Sequence, residues 1–302
     1  MLSIVVLGTA AGGGVPQWNC GCINCRSARN GHQELKSTQA SIAVSADREH
    51  WFLVNASPDL RQQITDTPVL HPRAGVLRHS PIAGVILTNG EVDAVAGLLS
   101  LREGTAFDLY AHSRVLSILG DNPIFNVLRA DLVRRQALKL DTPIDLPLPG
   151  GAPSGLTLEA FAVPGKVALF LEDESDDGGG DTLGLVIRDK ASGQRLVFLA
   201  ACAEVTDEVA AKLSGAELVF FDGTLWCDDE MIEAGLGKKT GRRMGHIAMR
   251  DAIPALGDID IGRRVFLHIN NSNPALRHDS AERRAATEAG WLVPVDGMEI
   301  KL

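Results

Sequence analysis

The sequence predicts a layered α/β domain covering residues 1–302. Three observations predict it. Short apolar runs rich in β-branched residues alternate with helix-like stretches along the whole chain. The hydrophobic fraction of 45% and the charged fraction of 22% are those of a globular protein with a sizeable core. No linker, repeat or low-complexity tract divides the 302 residues, a length that α/β proteins often fold as one unit.

The first strand is predicted over residues 3–7. It runs into Gly8-Thr9-Ala10-Ala11-Gly12-Gly13-Gly14, a stretch that permits close backbone approach. That run lacks the G-x-G-x-x-G spacing, and Pro16 disfavours a following helix, so it does not read as a dinucleotide loop. Residues 41–44 and 51–54 read as two strands joined by a polar turn. A third apolar run at 85–87 leads through Thr88-Asn89-Gly90-Glu91-Val92-Asp93 into a helix over 94–102. A strand over 107–111, a short helix over 114–119 and a helical stretch over 121–138 follow. The next strand is predicted over 156–163. Residues 169–181 carry six acidic groups among glycines and read as an exposed loop without the ligand spacing of a calcium site. Residues 183–187 and 195–200 form a predicted hairpin around Lys190-Ala191-Ser192-Gly193. Then come a helix at 207–213, a buried strand at 218–221 ending at Asp222, a helix at 246–256 and a strand at 265–269. A helix at 280–289 and a strand at 291–295 complete the order.

Charge and cysteine usage narrow the setting. A net charge of −9 argues against non-specific nucleic-acid binding, which needs a basic surface. No stretch approaches the roughly 20 apolar residues of a membrane span. The N-terminus lacks the basic start of a signal peptide. Five cysteines, an odd number, fit a reducing cytoplasm with metal-bound and free thiols.

Three of those cysteines fall within six residues: Cys20, Cys22 and Cys25. The C-x-C-x-x-C spacing turns three sulfurs toward one point. Thiolates so placed suit Zn²⁺, which accepts sulfur and takes four ligands in a tetrahedron. The fourth vertex falls to a distant residue, so such an ion staples the N-terminal loop to a later part of the fold. A site this rich in thiolate is structural and does not reveal the chemistry.

Elsewhere, polar residues able to hold a metal follow apolar strands. Asn89, Glu91 and Asp93 follow residues 85–87, and Asp222 follows 218–221. His246 stands at a helix start, and His268 sits within Val265-Phe266-Leu267-His268-Ile269. Strand ends project into the clefts where α/β folds place ligands, and mixed imidazole and carboxylate suit iron, zinc or manganese. Singly, each residue has an ordinary structural alternative. His268 reads equally as a hydrogen-bonded core histidine, Asp93 as a helix N-cap and Asp222 as a turn residue.

Residues Thr88 to Leu98 resemble an altered metallo-β-lactamase signature, T-H-x-H-x-D-H-x-x-G-L. Three further stretches carry a more specific resemblance: Leu7 to Cys20, Asn55-Ala56-Ser57-Pro58-Asp59-Leu60-Arg61-Gln62-Gln63, and His268-Ile269-Asn270-Asn271-Ser272-Asn273-Pro274. Together they are similar, over essentially the whole chain, to the pyrroloquinoline quinone (PQQ) biosynthesis protein B family, PqqB. The resemblance implies a single αββα sandwich with the active metal between the sheets at one edge. It implies a structural Zn²⁺ on Cys20, Cys22 and Cys25. A related phosphodiesterase fills the fourth vertex with a histidine three positions after His268, and Asn271 stands there.

The same resemblance implies an iron-dependent hydroxylase that oxygenates the tyrosine-derived ring of a cross-linked Glu–Tyr intermediate, with dioxygen as co-substrate. It implies other proteins of the PQQ pathway as partners and is compatible with a homodimer. Asn89 and Glu91 replace two signature histidines, as that branch does, which disfavours a two-metal hydrolase. The branch keeps the next histidine, but this chain has Ala94. The Fe²⁺ donors left are Asp93 and His268, with His246 or Asp222 to complete them. Weak iron binding and little hydroxylation are therefore expected. Arg61 and Arg102 are the candidate partners for a multiply carboxylated substrate. The alternative function is a carrier that helps move PQQ or its precursor toward the periplasm; a metal-dependent hydrolase ranks below it.

Overall fold

The computed structural model describes residues 1–165 and 182–302, and the acidic stretch 169–181 lies outside the described residues. The first half runs β1 (Ser3–Gly8), α1 (Ile23–Arg29), β2 (Ser41–Ser45), β3 (Trp51–Val54), α2 (Leu60–Asp66), β4 (Ile82–Ile86), α3 (Val92–Val95), β5 (Phe107–His112), α4 (Ser113–Asp121) and β6 (Val133–Leu138). The second half runs β7 (Ile144–Pro147), β8 (Pro153–Ala162), β9 (Leu183–Asp189), β10 (Arg195–Leu199), α5 (Asp207–Leu213), β11 (Ala216–Asp222), α6 (Glu230–Glu233), α7 (Met249–Ala255), β12 (Ile261–Leu267), α8 (Ala281–Glu288), β13 (Trp291–Leu292) and β14 (Glu299–Lys301).

These strands make two seven-stranded sheets, ordered β14-β1-β2-β3-β4-β5-β6 and β13-β12-β11-β10-β9-β8-β7. Each sheet is antiparallel at one side and parallel from its middle outward, through β3-β4-β5-β6 and β10-β11-β12-β13. The two-residue period of a strand explains the layering. Ile4 and Val6 point into the cluster between the sheets, with Phe52, Phe198 and Phe220. Val5 and Leu7 point outward into the layer of helices on the first sheet. Val197, Val219 and Phe221 do the same on the second. Strands buried on both faces read as near-continuous apolar runs, so they were legible in sequence. Phe198 and Phe220 lie side by side on neighbouring strands β10 and β11, facing the middle layer with ring centroids 6.3 Å apart. Burying each contributes about 1.5–3 kcal/mol. This is the αββα sandwich of the metallo-β-lactamase fold.

Several elements differ from the sequence expectation. The helix expected over 121–138 is a 3₁₀ turn (Pro123–Val127) followed by strand β6. Pro123 has no amide hydrogen to donate and pushes Asn122 to extended backbone, which stops α4. The helix expected over 94–102 is a single α-turn, α3, continued by a 3₁₀ segment (Ala96–Leu101). Helix α7 begins at Met249, so His246 precedes it. Strand β12 stops at Leu267, and His268 lies beyond it in left-handed backbone with φ +59°. The last expected strand shrinks to Trp291–Leu292. Helices α1 and α2 and strands β7 and β14 were not foreseen.

Gly97 fixes how α3 docks. Its amide donates to Ala56 O at 2.8 Å, while the Ala56 amide donates to Ala94 O at 2.7 Å. A Cβ at position 97 would stand 2.0 Å from Ser57 O and 2.8 Å from Ala56 O. Both obstacles are backbone, so neither can swing aside. Gly97→Ala is expected to destabilise the fold by about 2–3 kcal/mol. A lowered urea midpoint with an unchanged m-value shows this; an unmoved midpoint contradicts it.

Candidate functional site

Three strands and a helix-entry segment end at one edge of the sandwich. The loop after β4 carries Asn89, Glu91 and Asp93; β11 ends on Asp222; β12 hands over to His268; and His246 arrives from the segment before α7. Parallel strands that share a direction put their carboxyl ends together, which is where open α/β folds bind ligands. A cavity of about 440 Å³ opens there, a volume suited to a small molecule. Asp93, His246 and His268 line it, with Gly12 and Gly13 on one wall and Met231 on another.

Local chemistry holds each side chain. Asn55 locks the start of the metal-signature loop, its Oδ1 accepting the Thr88 amide at 2.9 Å and its Nδ2 donating to Thr88 Oγ1 at 3.0 Å. Asn89 Oδ1 accepts the Glu91 amide at 3.0 Å and turns the chain into α3. Glu91 is the N-cap of α3, so Asp93 falls in the first turn and is not the cap. The left-handed backbone at His268 costs about 1–3 kcal/mol for a residue that carries a Cβ. It aims the imidazole into the cavity, where Nε2 lies 3.2 Å from Asp93 Oδ2. The rings of His246 and His268 stack with centroids 5.4 Å apart.

Burial opposes the charge on Asp93, yet the hydrogen bond and charge of His268 prevail and hold its carboxyl below the ordinary range. Burial likewise opposes the charge on His268, and Asp93, helped by Asp222 and Glu91, holds it above the ordinary range. The two groups support each other's charged forms.

Asp222, His246 and His268 form one cluster of donor atoms within 4.8 Å of one another. Asp222 differs from the rest. It is 0% exposed, and both of its oxygens are filled by protein donors. Oδ1 accepts Thr224 N at 3.0 Å and Thr224 Oγ1 at 2.7 Å; Oδ2 accepts Cys202 N at 2.9 Å and lies 2.8 Å from His246 Nδ1. Thr224 was not a candidate in the sequence, because a single threonine after Asp-Gly carries no signal.

Ala94 is 2% exposed and packs in the apolar layer with Leu7 and Leu60. It is not among the cavity-lining residues, although Val92 and Asp93 are. The two arginines also stand elsewhere. Arg61 is exposed on α2, and Arg102 donates to Leu99 O at 2.9 Å and pairs with Glu103 at 3.8 Å. Among the described residues, no lysine or arginine lines the cavity. Arg61 and Arg102 were chosen for charge alone, and charge does not reveal which edge of the sandwich a residue faces.

A second donor cluster lies nearby. Cys20, Cys22 and Cys25 bring their sulfurs within 4.8 Å of one another. Helix α1 grows out of this turn, with Cys22 as its N-cap accepting the Cys25 amide at 3.5 Å. The Gln17 and Cys22 amides point at Cys25 Sγ and Cys20 Sγ at 3.3 and 3.4 Å. Asn271 faces all three sulfurs, its amide 3.0, 3.5 and 3.4 Å from Cys20, Cys22 and Cys25. The nitrogen and oxygen of such an amide exchange places on a flip, so either end can meet the sulfurs. Buried Asn24 ties the turn to the same later segment, donating to Asn271 O at 3.0 Å and Asn273 O at 2.9 Å. Burial pushes the Cys25 thiol up to about 11, whereas hydrogen bonds from Cys25, Cys20 and Asn271 overcome burial at Cys22 and lower it.

Among the described residues, no helix is long and apolar enough to cross a membrane. The Beta-lactamase superfamily domain matches residues 50–269. The chain is 62% identical over 309 residues to coenzyme PQQ synthesis protein B of Rhodopseudomonas palustris strain BisB5, with 100% of both chains covered. It is 54% identical over 308 residues to the protein of that name from Gluconacetobacter diazotrophicus, with 99% of both covered. The crystal structure of Zn²⁺-bound PqqB from Methylobacterium extorquens shares 50% identity and superimposes with a TM-score of 0.93, covering 99% of this chain and 100% of that one.

Proposed function

The chain belongs to the coenzyme PQQ synthesis protein B family of the β-lactamase superfamily, and on that premise we propose that it oxygenates the tyrosine-derived ring of the cross-linked Glu–Tyr intermediate of PQQ synthesis. The observation that carries this reading is the donor set facing one cavity: two imidazoles, His246 and His268, and one free carboxylate, Asp93. Two nitrogens and one carboxylate suit ferrous iron and leave positions open. Asn89 and Glu91 stand where the superfamily signature has histidines, and Asp222 is filled by its own neighbours. This supports one cation and not the pair that a hydrolase uses to hold attacking and leaving oxygens.

Bound there, Fe²⁺ would supply the one-electron chemistry that activates dioxygen. The chain's own residues do the rest. Met231, Met244 and Leu225 form an apolar wall for the substrate ring and exclude water beside the imidazoles. Asn270 offers a neutral amide to the substrate's polar groups, and among the described residues no lysine or arginine lines the cavity. Asp93 balances positive charge next to His268. The cysteine cluster's donor set fits a structural Zn²⁺ on Cys20, Cys22 and Cys25 with Asn271 at the fourth vertex. The zinc reported for the Methylobacterium protein supports zinc in this family.

The test is anaerobic loading with Fe²⁺ followed by addition of the cross-linked intermediate, dioxygen and ascorbate, the reductant that supplies the two electrons by which the second oxygen atom leaves as water. Dioxygen uptake matched to a product heavier by one oxygen atom is expected. Hydrolytic product without uptake overturns the reading. Tight binding of the intermediate with neither uptake nor product points to the carrier role instead.

A further inference from the structure

We propose that Thr224 is a positioning residue that fixes His268 with its Nδ1 proton turned inward and its Nε2 left for a divalent cation in the cavity. The proposal rests on the cation reading given above and goes beyond it by naming the group that sets the ligand's orientation.

Three polar groups converge on the Thr224 hydroxyl. Oγ1 lies 2.7 Å from Asp222 Oδ1, 3.0 Å from His246 Nδ1 and 2.9 Å from His268 Nδ1. A hydroxyl has one proton to donate and lone pairs to accept with. The carboxylate can only accept, so the Thr224 proton goes to Asp222 Oδ1. The other carboxylate oxygen, Oδ2, is 2.8 Å from His246 Nδ1, which must therefore carry a proton. With the hydroxyl proton committed, Thr224 Oγ1 can only accept from His268, so His268 Nδ1 carries a proton too. Nε2 is then the nitrogen left to face Asp93 and the cavity, where the Asp93 carboxylate accepts its proton and a cation would take that proton's place.

The two groups that anchor this chain of bonds are buried. Thr224 is buried and Asp222 is 0% exposed, so water does not compete for either group. Asp222, filled by four protein donors, acts as the anchor of the frame and not as a ligand. The backbone reinforces it: the Asn270 amide donates to Thr224 O at 2.9 Å and the Gly223 amide to Leu267 O at 2.7 Å, tying the two strand ends together. Ligand histidines held this way by an outer partner lose about 10–100-fold in metal affinity when that partner is removed.

The test uses the full chain with its cysteine site already loaded, and Zn²⁺ added beyond that equivalent as the probe. ¹⁵N and ¹³C chemical shifts of the His268 ring report which nitrogen binds the ion. Nε2 ligation is expected in the native chain and in Thr224→Ser, which keeps the hydroxyl. Thr224→Val keeps the shape but loses the hydroxyl; it is expected to weaken zinc binding about 10–100-fold and to give mixed Nδ1 and Nε2 ligation. Nε2 ligation with unchanged affinity in Thr224→Val overturns the role of Thr224 alone. If added zinc leaves the His268 ring unperturbed in the native chain, the cation reading falls and the proposal with it. Serine serves as the control for folding: a defect shared equally by Val and Ser variants also overturns the proposal.

Discussion

Cys25→Ser is expected to release one zinc per chain and to lower the melting temperature by about 10 °C or more. Cys25 is fully buried, and burial, with the neighbouring Cys22 adding to it, raises its thiol to about 11. Three sulfurs within 4.8 Å are therefore poorly suited to be thiolates together unless a cation lies among them. With the cation, the cluster joins the turn before α1 to Asn271, across some 246 residues of sequence. Loss of a structural metal belongs to the small class of changes worth about 4–5 kcal/mol. At about 2–4 °C per kcal/mol for a chain of this size class, the shift is easily read by calorimetry. Chelation of the native protein is expected to give a drop of the same size. A variant that melts with the native protein and retains its zinc contradicts the staple.

The two donor clusters were legible in the sequence to very different degrees, for a physical reason. The three cysteines act through local spacing, so a six-residue window contains the geometry. Asp93 and His268 stand 175 residues apart, and only a shared strand-end habit hinted that they meet. The sheet strands were readable because Ile4 and Val5, or Val219 and Phe220, bury opposite faces and leave an unbroken apolar run. Strand β14 was not, because its three residues are a strand only by pairing with β1, Ile300 opposite Ile4. Position 268 shows the same limit in the other direction. Its apolar neighbours read as strand, yet the chain has already turned into the left-handed region there, and that turn presents the imidazole to the cavity. Thr224 gave no sign at all, since its partners lie 2, 22 and 44 residues away.

Ala94→His is expected to raise ferrous affinity by at least about tenfold, and with it the iron content of the purified protein and its dioxygen uptake. Removing an outer partner of a ligand already costs 10–100-fold, so restoring a ligand is worth at least the lower figure. The native chain has two imidazoles at the cavity, but they are not equivalent. His268 turns Nε2 toward Asp93, whereas His246 leans on Asp222 and Thr224 through Nδ1 and sits beside His268 as a stacked ring. An imidazole at position 94 must turn out of the apolar layer that buries Ala94 toward the cavity lined by its neighbours Val92 and Asp93, and would there add a third imidazole beside the carboxylate. The gain has a structural cost. Ala94 packs against Leu7 and Leu60 in the apolar layer, and its own carbonyl receives the Ala56 amide, so the backbone cannot retreat. Overfilling such a place costs about 1–3 kcal/mol. The variant is thus expected to melt earlier while holding iron better, a combination that general loosening of the fold does not produce. Iron content and dioxygen uptake equal to those of the native chain would show that His246 already completes the site and that Ala94 is no impairment.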